Sequence, residues 1–410
     1  MSTLTLPDPT PTPWRQDATV IGLVGLAHAV SHFSQLLLAP LFPWLKDAFA
    51  VSYTELGFLL TVFFVVSCVV QTLSGFWVDR YGPRPVLYAG LALLGLAALG
   101  FAASTSYGML VLFSVLAGTG NGVFHPVDYT LLNRKVAQAR LGHAYSVHGI
   151  TGSLGWALAP AVLVPLTLAY SWRAALLCAA ALVFLVLAAL WSQREELALA
   201  PLPALPKSAA QTELALGFLA IPAVWMCFAF FFFYAGGLSI VQTFAPEAAR
   251  QLHAVPAALS AVCLTSYMVC SACGMVLGGF LARDPGRSER IVGAAFGLAS
   301  AVALVIGFAA LPALAVPALF GVMGFATGVA GPSRDLLVKG ATPDNATGRV
   351  YGVVYAGLDI GQAAVPLAIG SLMDRGAYSA VWLALALLQA VLIVSAFKVR
   401  KVRRTAMAAA

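Results

Sequence analysis

Histidine and carboxylate side chains occur inside long apolar segments of this chain, where an ionisable group is costly and usually serves a function. His28 and His32 are four residues apart and therefore share one face of a helix. His125 and Asp128 are three residues apart and stack in a similar way. Histidine titrates near neutral pH, so these pairs favour proton transfer or ligand binding. The alternatives are neutral histidines bonded to neighbouring carbonyl groups, and a gate or packing pair at His125 and Asp128.

Further polar positions in apolar segments extend this set. Arg334 lies 206 residues after Asp128, the spacing of an internal repeat, so the two could pair across a gate. Arg334 could instead bind an anionic substrate with two hydrogen bonds. Asp359 could carry a second proton, balance Arg334 or serve helix packing. The predicted proton-coupling or gating residues are His28, His32, His125, Asp128, His148, Arg334 and Asp359.

A substrate cavity is predicted where polar side chains interrupt the same apolar segments. The run Phe228–Tyr234 is almost entirely aromatic, so several of its rings must face lipid. Polar side chains beside such rings would suit an amphipathic organic molecule. The predicted cavity residues are His32, Gln35, Tyr234, Gln242 and Arg334.

The segments that carry these groups must cross a membrane. Hydrophobic residues make up 60% of the chain and charged residues 10%, with a mean hydropathy of +0.89. A soluble chain of 410 residues could not bury so much apolar surface. Twelve apolar runs reach the roughly 20 residues that a spanning helix needs. The sequence predicts an all-α membrane protein with twelve transmembrane helices.

The basic residues predict how the chain is oriented. Eighteen of the 23 Lys and Arg residues fall on one side when the twelve runs are threaded alternately through a membrane. The side richer in Lys and Arg is the cytoplasmic side. Both termini are therefore predicted to be cytoplasmic, in a multi-pass protein of the cell membrane, here a bacterial inner membrane. The net charge of +7 thus reports orientation, and no nucleic-acid partner is expected.

The twelve runs divide into two related groups of six. A polar linker with three prolines separates them, and proline-rich segments act as semi-rigid spacers. Five positions recur exactly 206 residues later, from Pro126 and Pro332 to Pro160 and Pro366. Such repeats are typical of secondary transporters whose substrate site lies between the halves. The predicted parts are a tail (1–17), a six-helix bundle (18–191), a linker (192–213), a second six-helix bundle (214–397) and a basic tail (398–410).

The loop after the second apolar run resembles the major facilitator superfamily. That family carries the pattern G-x-x-x-D-R-x-G-R-R in its loop between helices two and three. Pro83 replaces one arginine of the pattern here. The resemblance implies a conformational latch, in which the glycines permit close approach and a tight turn while the charged groups bridge neighbouring helices. The matching residues are Gly75, Asp79, Arg80, Gly82 and Arg84.

A second resemblance lies in the fifth run, at Gly149, Gly152, Gly155 and Pro160. These positions resemble the antiporter motif of proton-coupled drug exporters in the same superfamily, with Ala159 in place of its last glycine. The alternative is a packing motif, because small residues let membrane helices approach closely. Phe124-His125-Pro126 is also similar to the fosmidomycin-resistance-like branch.

The resemblance implies a secondary transporter that works by alternating access. No GxxxxGK[ST] phosphate loop is found, so ATP is not expected to drive it. Protons are the expected coupling ion, with Asp128 and the histidines as carriers. Export of small organic molecules by antiport (efflux) is favoured over a proton symporter that imports an organic anion such as a carboxylate. A receptor or lipid-handling protein without transport is the remaining alternative.

The residue patterns also set several expected absences. No Ser/His/Asp order or phosphate-binding motif indicates an enzyme, and the spacing of Cys and His along the chain predicts no metal site. We expect no organic cofactor. The expected partners are a small-molecule substrate and the lipid bilayer, and the protein is expected to function as a monomer.

Overall fold

The computed structural model describes residues 14–137, 140–199, 222–281, 287–341 and 347–409. Within these ranges the chain is helical apart from short connections, and it contains no strand. Eleven of the described segments are helices long and apolar enough to cross a membrane, and Tyr378–Val394 supplies a shorter twelfth. The predicted all-α membrane fold is confirmed.

The first half of the chain makes six passes. A short 3-10 helix at Ala39–Leu41 interrupts the first pass. The helices are α1 (Trp14–Gln35), α2 (Phe42–Phe49), α3 (Tyr53–Tyr81), α4 (Pro83–Ala103), α5 (Tyr107–Asn121), α6 (Phe124–Lys135), α7 (Leu141–Ala169) and α8 (Trp172–Ser192).

The second half repeats this arrangement in its own six passes. Its last helix runs on through most of the segment predicted as a basic tail, because Lys, Arg and Ala favour helix formation. The predicted linker lies partly outside the described residues. The helices are α9 (Pro222–Thr243), α10 (Ala245–His253), α11 (Ala257–Leu281), α12 (Ser288–Phe308), α13 (Ala315–Ala341), α14 (Thr347–Asp374) and α15 (Tyr378–Ala409).

Two passes that the sequence predicts as continuous are broken. The first pass breaks near Pro40 and Pro43, because proline cannot donate a backbone hydrogen bond within a helix. The fourth pass breaks between α5 and α6 at Gly122, where a Cβ atom would lie 2.5 Å from the carbonyl oxygen of Ser67. Because Gly122 has no side chain, the chain at this break can lie directly against α3. Helix α6 begins just before His125.

The two halves meet along two pairs of helices, α3 with α14 and α7 with α11. We call this contact the seam. A Cβ atom at Gly57 would lie 2.7 Å from the carbonyl oxygen of Pro366, so the backbones of α3 and α14 nearly touch. Thr61 donates a hydrogen bond of 2.5 Å to the carbonyl oxygen of Ala363, and Thr265 donates one of 3.2 Å to that of Ala157. Close backbone contact therefore holds the halves together.

One carboxylate joins the halves at the far end of the bundle, opposite the start of α1. Asp374, the last residue of α14, accepts hydrogen bonds from the backbone N–H groups of Tyr53 (2.6 Å) and Thr54 (3.0 Å). The hydroxyl group of Thr54 donates a third bond of 2.6 Å. Ser52 and Glu55 complete a capping box on the same turn. A side chain of one half thus caps the first turn of α3 in the other.

We expect Asp374→Ala to lower the free energy of unfolding by about 1–2 kcal/mol, because the first turn of α3 loses its acceptor. Thermal unfolding of the purified protein in detergent measures the change. Asp47→Ala, at an exposed carboxylate near the same end, is the matched control and should leave the midpoint in place. Equal midpoints for the two variants would contradict a capping role for Asp374.

Candidate functional site

Helices α1, α6 and α7 bring four of the chain's six histidines and one carboxylate into a single group, buried except for the half-buried His125, which we call the His–Asp cluster. The side chain of Asp128 has 0% of its surface exposed, His28 has 3% and His32 has 8%. The sequence predicts these residues as candidates. The fold brings them together, because α6 and α7 both pack against α1. The members are His28, His32, His125, Asp128 and His148.

Asp128 lies at the centre of the cluster. Its Oδ2 atom is 3.1 Å from Nδ1 of His28 and 3.1 Å from Nε2 of His148. The rings of His28 and His148 stack with centroids 3.5 Å apart, and His32 lies 4.2 Å from His28. Both imidazoles can donate to the carboxylate only when the facing nitrogen of each carries a hydrogen. The arrangement can therefore store and redistribute protons among the three groups.

Glycines on α7 make room for the cluster. A Cβ atom at Gly152 would lie 2.7 Å from Cε1 of His32 and 2.9 Å from Nε2 of His28. A Cβ atom at Gly155 would collide with the carbonyl oxygen of Ala29 on α1. Gly149 has no atom within 4 Å of its Cβ position, so it takes no part in this approach. Two of the three glycines in the predicted packing motif thus set the distance between α1 and α7.

A chain of hydrogen bonds leads from the cluster to the other half of the protein. His125 lies 2.8 Å from Oε1 of Gln71, and Nε2 of Gln71 donates a hydrogen bond of 3.1 Å to Oδ2 of Asp359. Gln71 belongs to α3 and Asp359 to α14, so the chain crosses the seam. Asp359 in the second half is therefore connected through Gln71 to the His–Asp cluster in the first half.

His125 and Asp128 face different helices, although their spacing suggests a common side. A step of three residues turns an α-helix by about 300°, which leaves the two side chains some 60° apart. His125 consequently reaches Gln71 on α3, whereas Asp128 reaches His28 on α1 and His148 on α7. His125 and Asp128 therefore connect α6 to different neighbouring helices and do not form a single contact.

A second polar group continues from the cluster towards the far end. Gln35 accepts a hydrogen bond of 2.9 Å from the indole N–H of Trp156 and donates one of 3.3 Å to Asn121. Trp156 stacks on His32 with centroids 4.2 Å apart. Sequence reasoning missed Gln71, Asn121 and Trp156. For Trp156 the spacing offers a signal, since it follows Gly152 by four residues within α7.

The remaining predicted cavity residues lie elsewhere. Gln242 lines a separate cavity of about 270 Å³ at the far end, between helices of both halves. Tyr234 packs against Phe296 within the second half. The side chain of Arg334 lies outside the described residues, so its pairing with Asp128 stays a prediction. His32 and Gln35 are therefore the predicted cavity residues that belong to the cluster region.

The predicted latch loop forms a tight turn between α3 and α4. Gly82 has φ +81°, a conformation that favours glycine. The carbonyl oxygen of Leu199 lies next to the position that a Cβ atom of residue 82 would take. Arg84 donates a hydrogen bond of 3.2 Å to the carbonyl oxygen of Arg194, which lies after α8. Arg80 lies over the ring of Tyr81. Gly75 has open space around it. The side chain of Asp79 lies outside the described residues.

The cluster also contains two groups of side chains that could hold a metal ion. One consists of His28, His32 and His125, and the other of His28, Asp128 and His148. In each group the potential ligand atoms lie within 4.8 Å of one another. The spacing along the chain gives no sign of these groups, because each draws its ligands from two or three helices.

Comparisons with known proteins agree with this architecture. The family model described as Major Facilitator Superfamily matches residues 24–320 and 228–409. The fosmidomycin resistance protein of Escherichia coli (strain K12) is 30% identical over 149 residues, which are 34% of this chain and 34% of that protein. An uncharacterized MFS-type transporter of Bacillus subtilis (strain 168) is 29% identical over 177 residues, or 42% of this chain and 43% of that protein. The match thus spans less than half the length of each relative.

The fold is also found in a solved structure of a bacterial homolog of the human lysosomal transporter Spinster, in an inward-facing and occupied conformation. The TM-score is 0.74, and 97% of each chain is covered. Sequence identity is 14%, so this likeness shows the shared fold alone.

We expect Gly152→Ala to lower the free energy of unfolding by about 1–3 kcal/mol, because the new methyl group overpacks the contact between α7 and the two histidines of α1. Thermal unfolding in detergent measures the change. Gly149→Ala, the same substitution three residues earlier in open space, is the control and should be neutral or slightly stabilising. A Gly152→Ala variant as stable as the control would show that α1 and α7 do not approach as described.

Proposed function

The chain belongs to the major facilitator superfamily, and from that premise we propose that this membrane transporter exports small organic molecules in exchange for protons. Its two halves would rock about the seam so that a site between them opens to each side in turn. The observation that carries the proposal is the hydrogen-bonded chain from His125 through Gln71 to Asp359, because it joins a half-buried acid to both halves.

Asp359 is the residue best placed to couple protons to motion. An ionised carboxylate in an apolar environment is costly, and taking up a proton removes that cost. Gln71 now donates to Asp359 across the seam, and that bond can persist only while α3 and α14 stay together. A movement of one half against the other therefore changes how well the charge is compensated. Proton binding and the position of the halves are linked through this difference.

The cluster behind His125 supplies the rest of the proposed route. His125 lies 5.6 Å from His28 and 6.4 Å from His32, measured between ring centroids. Beyond them, Trp156, Gln35 and Asn121 continue the polar path towards the far end. The imidazoles thus provide exchangeable groups between the seam and the interior of the first half.

Export is favoured over import by two observations. The Escherichia coli relative is named for resistance to fosmidomycin, and removal of a compound from the cell would produce resistance. The glycines of α7 that admit His28 and His32 also belong to the stretch that resembles an antiporter motif. Import of an organic anion would need a cationic binding group, and Arg334 stays the predicted candidate for that role.

The test uses everted vesicles from bacterial cells that express the protein, with an inward-directed proton pump to acidify the lumen and a fluorescent dye to report the gradient. Fosmidomycin is the first probe, followed by a panel of small organic compounds. We expect a substrate to dissipate the gradient, and Asp359→Asn to reduce this response by about tenfold or more. Glu195→Gln, at an acid 81% exposed outside the spans, is the control and should respond like the unmodified protein.

Other outcomes would overturn parts of the proposal. Uptake into whole cells driven by an inward proton gradient would make the protein a symporter. No proton-linked flux with any compound would favour a receptor or lipid-handling role. A response lost in Asp128→Asn but retained in Asp359→Asn would place coupling inside the first half and not at the seam.

A further inference from the structure

We infer that His28, Asp128 and His148 form a binding site for a divalent transition-metal ion of the Zn²⁺ class. The three side chains come from α1, α6 and α7, and their potential ligand atoms lie within 4.8 Å of one another. The consequence of metal binding for transport rests on the proposed function.

The spacing of the ligand atoms matches a tetrahedral site. Zinc bonds to imidazole nitrogen and carboxylate oxygen measure about 2.0–2.2 Å, which places neighbouring ligand atoms about 3.3 Å apart. In the structure, Oδ2 of Asp128 is 3.1 Å from Nδ1 of His28 and 3.1 Å from Nε2 of His148. These two separations are close to those of a tetrahedral site, and the third, between the two imidazole nitrogens, is within 4.8 Å.

A second observation points to a missing ligand. The Oδ1 atom of Asp128 is fully buried and has no hydrogen-bond partner among the side chains that the structure describes, which do not include that of Arg334. A buried polar atom without a partner is destabilising, and such an atom calls for an explanation. A cation held between the carboxylate and the imidazoles would compensate the charge on both oxygens. The fixed α1–α7 distance at Gly152 keeps the histidines in place for it.

The chemistry of the ligands selects the class of ion. Imidazole nitrogen suits zinc, nickel, cobalt and copper, whereas Mg²⁺ and Ca²⁺ prefer oxygen ligands. Three protein ligands leave a fourth tetrahedral position for water or another group. His32 lies against His28 with ring centroids 4.2 Å apart, and His125 lies 5.6 Å away. Together with His28, these two imidazoles form the second group of potential ligands described above.

A bound ion would tie three helices of the first half together. It would also occupy the atoms through which Asp128 now contacts His28 and His148. The next consequence rests on the proposed function. If protons pass through the cluster, a bound metal ion blocks that path and inhibits proton-linked transport. The metal is then a regulator of the transporter.

The experiment uses the full-length protein purified in detergent through an affinity tag without histidine. Zn²⁺ is titrated while the thermal midpoint is recorded, and Co²⁺ is titrated while its visible absorption is recorded, with Mg²⁺ as the comparison ion. We expect Zn²⁺ to raise the midpoint and Co²⁺ to give the absorption of a tetrahedral site. His148→Asn should weaken the apparent affinity by about tenfold or more. His143→Asn, at an exposed histidine on the same helix, should bind like the unmodified protein.

A further variant covers the case in which His148→Asn does not fold. His148→Cys keeps a ligand at the position, so binding of Co²⁺ should add the near-ultraviolet charge-transfer band of a thiolate–cobalt bond. That band reports coordination at this position directly. Its absence in a folded His148→Cys variant overturns the inference, as does an unchanged affinity in His148→Asn or an equal response to Mg²⁺.

The inference and the proposed function fail separately. If the metal does not bind while the proton-linked flux is intact, only the metal site is wrong. If the metal binds in the absence of any proton-linked flux, only the proposed coupling is wrong. Both are supported if Zn²⁺ inhibits the flux in the unmodified protein and in the His148→Cys variant, and if the flux of the variant returns only when the metal is chelated.

Discussion

The arrangement of the first half depends on how a fully buried carboxylate is compensated. Asp128 has no exposed surface, and its Oδ2 atom is shared by two imidazoles from different helices. Within the apolar interior no bulk water can replace those partners. The helices that carry His28 and His148 must therefore stay in register with α6. The glycines on α7 and the break before α6 both serve this requirement, since each brings a backbone close enough for short side chains to meet.

The seam follows a different physical rule from the cluster. Between α3 and α14 the backbones approach closely at Gly57 and Gly370, where a Cβ atom would collide with the other helix. Such contacts can separate without stranding a large charged group. The exceptions are Asp374, which caps α3 at the far end, and Asp359, whose bond to Gln71 places another carboxylate in the seam. The protein thus combines a paired acid inside one half with acids where the halves meet. On the proposed mechanism, the acids in the seam would change their surroundings when the halves move, whereas Asp128 would keep its partners within one half.

Much of this plan could be predicted from the sequence, and the limits have physical causes. Apolar runs of sufficient length predicted the helical membrane fold, and the 206-residue repeat predicted two related halves. Spacing along a helix identified His28 with His32 and His125 with Asp128, because residues three or four apart are neighbours on a helix surface. Local spacing carries no information about partners 20 or 100 residues away. The contact of Asp128 with both His28 and His148, and the role of Gln71 between His125 and Asp359, therefore needed the fold.

On the proposed mechanism, the cap that Asp374 places on α3 has a consequence for how the two halves would part. The amide groups of Tyr53 and Thr54 find their acceptor in the other half, while Ser52 and Glu55 satisfy the rest of that turn locally. When the halves part at this end, those two amides must turn to solvent, and the local capping box keeps the helix from fraying further. Their exchange with deuterated water would then record how often the far end is open, at two positions whose bonds depend on nothing else.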